Sequence, residues 1–158
     1  MKPLSFEDLK GKVCVITGGA GVLGGTMVRA LAAAGLKVAI ADINKEVAEK
    51  VAADIEAECG SIVIGVEANV LDRESLVRAK AEINEKLGEI DILINGAGGN
   101  SPQATTKVEQ IEEKDLDHLE DTFYGLETDG FDKVYALNFK GTLLPTMVFT
   151  TDMLQKRK

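Results

Sequence analysis

The sequence predicts an α/β protein built on a parallel sheet. Short apolar runs rich in β-branched residues alternate with stretches of helical periodicity through the first 95 residues, and glycine, asparagine or aspartate separates them. Each helical stretch is about 12 residues long, and parallel neighbours require a crossover of that length, normally a right-handed βαβ unit.

The elements follow in order. Val13 to Thr17 is a continuous apolar run ending at Gly18-Gly19, which reads as a strand buried on both faces. Leu23, Met27, Ala30, Leu31 and Ala34 then recur at helical spacing, and Gly35 supplies the stop. Lys37 to Ala41 is a second strand, and Asn44 an N-cap for a second helix with the stripe Val47, Val51 and Ile55. Ser61 to Val66 reads as the third strand; Asp72 caps a third helix with Leu76, Ile83 and Leu87 inward and Gly88 as its stop; Asp91 to Asn95 is the fourth strand. From Gly96 to about Glu127 the period is lost, with one short helix expected around Glu112 to Asp121. Phe131, Val134, Leu137, Asn138, Leu143, Met147, Phe149 and Met153 predict a long helix over 128–157, with Pro145 forcing a kink or restart.

Composition narrows the function classes. The chain has 158 residues and reads as one domain, 1–158. Its net charge is −8 and its one basic cluster is Lys156-Arg157-Lys158, which argues against a nucleic-acid partner. Acids in the segment Met1 to Asp8 stand where a signal peptide needs an apolar run, and no stretch is long and apolar enough to span a bilayer. Cys14 and Cys59 form neither a metal-spaced pair nor a disulfide framework, so the expectation is a soluble cytoplasmic protein with no membrane partner and no bound metal.

The chemistry concentrates in the turn after the first strand. Thr17-Gly-Gly-Ala-Gly-Val-Leu-Gly24 joins strand to helix, where bare backbone lets a diphosphate approach the free N–H groups and positive potential of a helix N-terminus. A tight turn without a ligand would carry the same glycines. Asp42 changes the weighting: it closes the second strand 18 positions after Gly24, where a carboxylate can accept hydrogen bonds from an adenosine ribose. An ordinary strand-end cap is the alternative. No Arg or Lys immediately precedes Asp42 to offset its repulsion of a 2′-phosphate, so NAD is favoured over NADP.

These residues resemble the short-chain dehydrogenase/reductase family. Its turn, Thr-Gly-x-x-x-Gly-x-Gly, is matched at Thr17, Gly18 and Gly24; Val22 stands in place of the middle glycine, with Gly21 one position earlier. Asn95-Gly96-Ala97-Gly98 is similar to the family's Asn-Asn-Ala-Gly, Asn69-Val70 to an Asp-Val pair that contacts adenine, and Leu137-Asn138-Phe-Lys-Gly141 to its Asn-hydrophobic-x-Gly motif. The resemblance covers residues 12 to 158 and implies a Rossmann-type three-layer αβα fold, here strands one to four and their helices. It implies cofactor contacts at Gly18, Gly21, Val22, Leu23, Gly24, Asp42, Ile43, Asn69, Val70, Asn95, Gly96, Ala97 and Gly98. It also places Asn138 in the catalytic tetrad, its backbone holding a water in a proton relay. Gly98 to Thr106, taken with Asn138 to Pro145, resembles the sugar-acid oxidoreductases, D-mannonate (fructuronate) enzymes among them.

The family's acid/base is a tyrosine with a lysine four positions on. Here Tyr124 is followed by Thr128 and Tyr135 by Phe139, and the sole histidine, His118, sits in an acidic loop as a surface residue. The expectation is therefore an N-terminal portion that binds cofactor without turning over, its small-molecule substrate belonging to the complete enzyme. The fourth strand would be an uncovered apolar edge, and association through it and the 128–157 helix, with a second copy or with the missing half, is expected. A non-catalytic nucleotide-binding or regulatory module remains open. A methyltransferase would share the turn and Asp42 but would leave Asn95 to Gly98 and Asn138 unexplained.

Overall fold

The computed structural model of the protein describes residues 6–156. Residues 1–5, part of the segment read for a leader, and Arg157-Lys158 of the basic tail lie outside the described residues.

Four strands form one sheet in the order β3-β2-β1-β4, every pairing parallel. They are β1 (Val13–Thr17), β2 (Lys37–Asp42), β3 (Val63–Glu67) and β4 (Ile92–Asn95). The helices α1 (Val22–Ala33), α2 (Lys45–Cys59) and α3 (Arg73–Lys86) make the crossovers. Strand alternation then divides the core into two. Cys14, Ile16, Val38 and Ile40 face Val28, Ala32, Ala48 and Ile55 on one side, whereas Val15, Ala39, Ala41 and Val66 face Leu76, Ile83, Val148 and Phe149 on the other. Helices thus cover both faces, the three-layer Rossmann-type arrangement.

Caps and stops stand where the sequence places them. The Asn44 and Asp72 side chains accept from the backbone N–H groups of Val47 (3.1 Å) and Glu74 (2.9 Å). Gly35 and Gly88 take φ of +88° and +99°, which residues with a Cβ rarely adopt. The third strand runs two residues later than its predicted start, Ser61.

The inward faces of α1 and α2 differ from the predicted stripes. Leu23 and Met27 are exposed, and the buried positions of α1 are Gly24, Gly25, Val28 and Ala32. In α2, Val47 is exposed and Ala48, Ala52 and Ile55 are buried. Close approach is the reason: a Cβ on Gly65 of β3 would run into the backbone of Ala48 and Glu49, so the helix face that meets the sheet is made of small residues. A stripe chosen by side-chain size points to the wrong rotation.

Beyond β4 the structure again differs from the expectation. The predicted helix around Glu112 to Asp121 is two isolated 3-10 turns, Glu113–Asp115 and Leu119–Asp121, in a segment that is otherwise loop. The long C-terminal helix is three, α4 (Thr128–Tyr135), α5 (Gly141–Phe149) and α6 (Thr151–Gln155), with a π-turn at Ala136–Lys140 between the first two. Pro145 lies buried inside α5, and the interruptions fall on either side of it, at 136–140 and at Thr150. Gly141 sits tightly on Val70, 2.9 Å from where a Cβ would stand, and the Asn138 side chain donates both to Gly99 O beyond the helix and to Val134 O within it, so the helix widens at 136–140 to reach both. Gly130, Pro145, Val148 and Phe149 face inward, while Phe131, Leu143 and Met147 are exposed. Among the described residues β4 pairs only with β1, leaving its other edge open.

One buried charge ties the end of the chain to the body. Asp152, 3% exposed, accepts from the Ile90 N–H (3.1 Å) and pairs with Lys80 Nζ (2.5 Å). Burial pushes its carboxyl upward, but the bonds from Lys80, Ile90 and Asn84 outweigh that and hold it below the usual carboxylate range. A carboxyl lowered on folding stabilises fully above its unfolded value, and that contribution is lost as pH falls through the folded one. Asp152→Asn should therefore cost about 3 kcal/mol at neutral pH, because it leaves the half-buried Lys80 with the Thr151 hydroxyl but without its counter-charge. The gap from the unaltered chain should narrow as pH drops below about 4. Urea midpoints across pH measure it, and a gap independent of pH contradicts the assignment.

Candidate functional site

Parallel strands place all their carboxyl ends on one edge of a sheet, and the loops leaving that edge enclose whatever the fold binds. Here a cleft of about 540 Å³ opens there, within the range of small-molecule sites. Its walls come from the glycine turn, the end of β2, the segment after β3 and the loop after β4.

The glycine turn is folded by contacts that admit no side chain. Gly18 has φ +65°, donates its N–H to Ala41 O (2.8 Å), and lies where a Cβ would stand 2.8 Å from Ala97 Cα. Gly24 packs so that a Cβ would be 2.7 Å from Gly19 Cα. These two glycines fix the path of the loop into α1. Gly21 caps α1 with extended backbone and has no side chain to bond the first N–H groups of this helix end. Val22, in the place of the family's middle glycine, begins α1 with its side chain 91% exposed; the isopropyl group reaches solvent without disturbing the turn.

Asp42, at the end of β2, borders the same cleft beside the glycine turn. Its carboxylate accepts from the Ala20 N–H (3.3 Å) and the Asn44 N–H (3.2 Å), one bond to each oxygen. Two bonds hold its orientation and leave acceptor capacity for two more hydroxyl groups. Among the lining residues Asp42 alone carries a charge. An anionic group entering this cleft therefore meets backbone N–H groups and the helix N-terminus rather than lysine or arginine, while a second phosphate beside Asp42 meets a carboxylate.

The loop after β4 is held from two sides. Thr17, fully buried at the end of β1, accepts on its Oγ1 from the N–H groups of Gly96 (3.1 Å) and Ala97 (3.2 Å). From the other side Asn138 in the π-turn accepts from the Gly99 N–H (3.1 Å) and donates to Gly99 O (2.8 Å) and Val134 O (2.9 Å). A Cβ on Gly98 would stand 2.5 Å from Asn138 Oδ1, so that glycine is required by the clasp. The backbone carbonyl of Asn138 accepts from the Thr142 hydroxyl (2.9 Å).

Twelve of the residues picked from the sequence line this one cleft: Gly18, Gly21, Val22, Leu23, Gly24, Asp42, Ile43, Asn69, Val70, Gly96, Ala97 and Gly98. Asn95 stands behind the wall, donating its amide to Thr146 Oγ1 (2.9 Å), and Asn138 acts on the wall through Gly99. Asn69 shapes its own turn, its side chain accepting from the Leu71 N–H (3.0 Å). Sequence reasoning missed Ala41, Ala68, Leu71 and Leu137. The first two carry a usable signal, small residues at strand ends next to Asp42 and Asn69. His118 is an exposed loop residue beside Glu120, and among the described residues no cluster of His, Cys, Asp or Glu could hold a metal ion. No helix of the described residues is long and apolar enough to cross a membrane.

Comparison with known proteins gives the same outline. Residues 12–158 match the family described as short chain dehydrogenase. An uncharacterised oxidoreductase of Bacillus subtilis (strain 168), UxuB, is 44% identical over 155 residues, 98% of this chain and 54% of its own length. The crystal structure of a proposed D-mannonate oxidoreductase from Haemophilus influenza, with bound NAD, superposes with a TM-score of 0.85 at 41% identity, covering 92% of this chain and 51% of that one. A xylitol dehydrogenase structure with bound NAD+ gives 0.76 at 25% identity, covering 94% and 50%. The chain spans about half the length of the relatives it matches.

Gly18→Ala tests the architecture of the cleft. Forcing a Cβ into a left-handed backbone position against Ala97 should cost about 2 to 3 kcal/mol. Thermal unfolding measures that loss, and a stability equal to the unaltered chain contradicts the close approach.

Proposed function

The chain belongs to the short-chain dehydrogenase family, and we propose that it is the NAD-holding portion of an oxidoreductase that moves hydride between the nicotinamide and an alcohol or carbonyl group. The observation that carries this reading is that a helix start with no side-chain cap and the oriented carboxylate of Asp42 border one cleft. The first suits a diphosphate and the second the hydroxyls of a ribose. Apolar groups of Ile43, Val70 and Leu71 complete walls suited to a flat heterocycle.

The bound cofactor would supply the hydride chemistry. This chain's residues hold and orient it: the α1 N–H groups at the diphosphate, Asp42 at the sugar, and the loop clasped by Thr17 and Asn138 along the opposite wall. A sugar acid is the proposed substrate class, supported by the motif resemblance and by the name of the Haemophilus relative. Within these 158 residues no tyrosine is followed by a lysine four positions on, which supports cofactor binding without turnover by this chain alone. The free Cys14 and Cys59 support the cytoplasm as its compartment.

NADH should bind at least about tenfold tighter than NADPH, since a carboxylate facing the 2′-phosphate opposes it. Asp42→Ala should weaken NADH and abolish the preference. Fluorescence titration of both nucleotides measures this, and tighter NADPH binding by the unaltered chain contradicts the role given to Asp42.

Assembly belongs to the same reading. Phe131, Tyr135, Phe139, Leu143 and Met147 recur every four residues, each about half exposed, with Tyr135 and Phe139 stacked at 5.2 Å. Together they offer roughly 500 Å² of apolar surface, the greater part of the about 800 Å² that each partner of a standard interface buries. A second copy of the chain is the proposed partner. Light scattering should show a dimer or larger at micromolar concentration, Tyr135→Glu should shift it to monomer, and a monodisperse unaltered monomer contradicts the proposal.

A further inference from the structure

Thr146 lies on α5, outside the cleft, and no motif points to it. Its hydroxyl nevertheless sits where the end of β4 is decided. Thr146 Oγ1 donates to Thr142 O at 2.7 Å, within its own helix, and this bond uses the hydroxyl's one hydrogen. What remains on that oxygen is acceptor capacity alone. Asn95, the last residue of β4, presents its Nδ2 there at 2.9 Å. An oxygen that can only accept selects the NH2 end of the amide, so the orientation of Asn95 is set by Thr146. The other end, Oδ1, is buried and has no protein partner. Exchange of the two ends would place an acceptor against an acceptor.

Asn95 leads directly into Gly96, Ala97 and Gly98, which form one wall of the cleft. We infer that Thr146 is a positioning residue for NAD: by fixing the Asn95 amide it fixes the direction in which the chain leaves β4, and with it that wall. The inference rests on the cofactor reading above and adds a residue to it. Thr150 supplies an internal control. It repeats the same arrangement one turn on, its hydroxyl donating to Thr146 O at 2.6 Å, but it is not bonded to Asn95. A role in α5 alone would be shared by both threonines, whereas a role in the cleft wall belongs to Thr146.

The test is NADH titration with thermal unfolding of each variant. Thr146→Val keeps the shape and removes the hydroxyl; it should weaken NADH binding about tenfold, by leaving the buried Asn95 amide without its partner. Thr146→Ser should restore affinity to within about twofold, and Thr150→Val should bind as the unaltered chain does. If Thr146→Val fails to fold, Thr146→Ala removes the same hydroxyl without the branched group and is held to the same tenfold expectation. Equal affinity of the unaltered and hydroxyl-deleted chains overturns the inference and leaves the cofactor reading standing, as does equal weakening by Thr150→Val. No NADH binding by the unaltered chain overturns both.

Discussion

The site depends on how closely β1 and its neighbours can approach at their carboxyl ends. Gly18 leaves β1 with a left-handed backbone, bonds to Ala41 of β2, and touches the backbone of Ala97 beyond β4. Thr17, one residue earlier, fixes the same loop through the N–H groups of Gly96 and Ala97. Two adjacent residues therefore set the spacing of three loops. The start of α1, Asp42 and the loop after β4 can face one another across a single cleft only because nothing bulkier than hydrogen stands at that junction.

Much of this was legible in the residues. The strands, the Asn44 and Asp72 caps and the glycine stops follow from local rules, because short buried strands and capped helices are specified by a few neighbouring positions, and crossover-length helices between the strands imply the parallel pairing. The glycine turn and Asp42 were legible for a related reason, since glycines and strand-end polar groups are placed by backbone geometry rather than by packing, whereas Asn69, Val70 and Gly96 to Gly98 were found through the family resemblance. The inward faces of α1 and α2 were not legible. Leu23 and Val47 point to solvent while Gly24, Gly25, Ala48 and Ala52 face the sheet, since contact distance outweighs hydrophobicity where backbones come close. No periodicity of large side chains encodes that.

The C-terminal third shows a second limit. Pro145 drew attention as the breaking point, yet the helix opens at 136–140, where the Asn138 side chain competes with the helical ladder by bonding Gly99 and Val134. That clasp joins residues 39 positions apart and has no local signature. Thr146 and Asn95 make a second tie of the same kind across 51 positions. The wall of the cleft is thus built by long-range polar bonds from a helix segment whose exposed side carries aromatic residues. Phe131, Leu143 and Met147, which sequence periodicity places in a buried stripe, belong to that exposed side.

The central claim is that a dinucleotide lies with its diphosphate at the start of α1 and its adenosine ribose at Asp42. Amide chemical-shift mapping during NAD titration reads this directly. The largest changes should fall at Val22, Leu23 and Gly24, with further changes at Ile43, Leu71 and Gly98 and none in the 3-10 turns between residues 113 and 121. Perturbation centred on those turns, with the α1 amides unmoved, would contradict that claim.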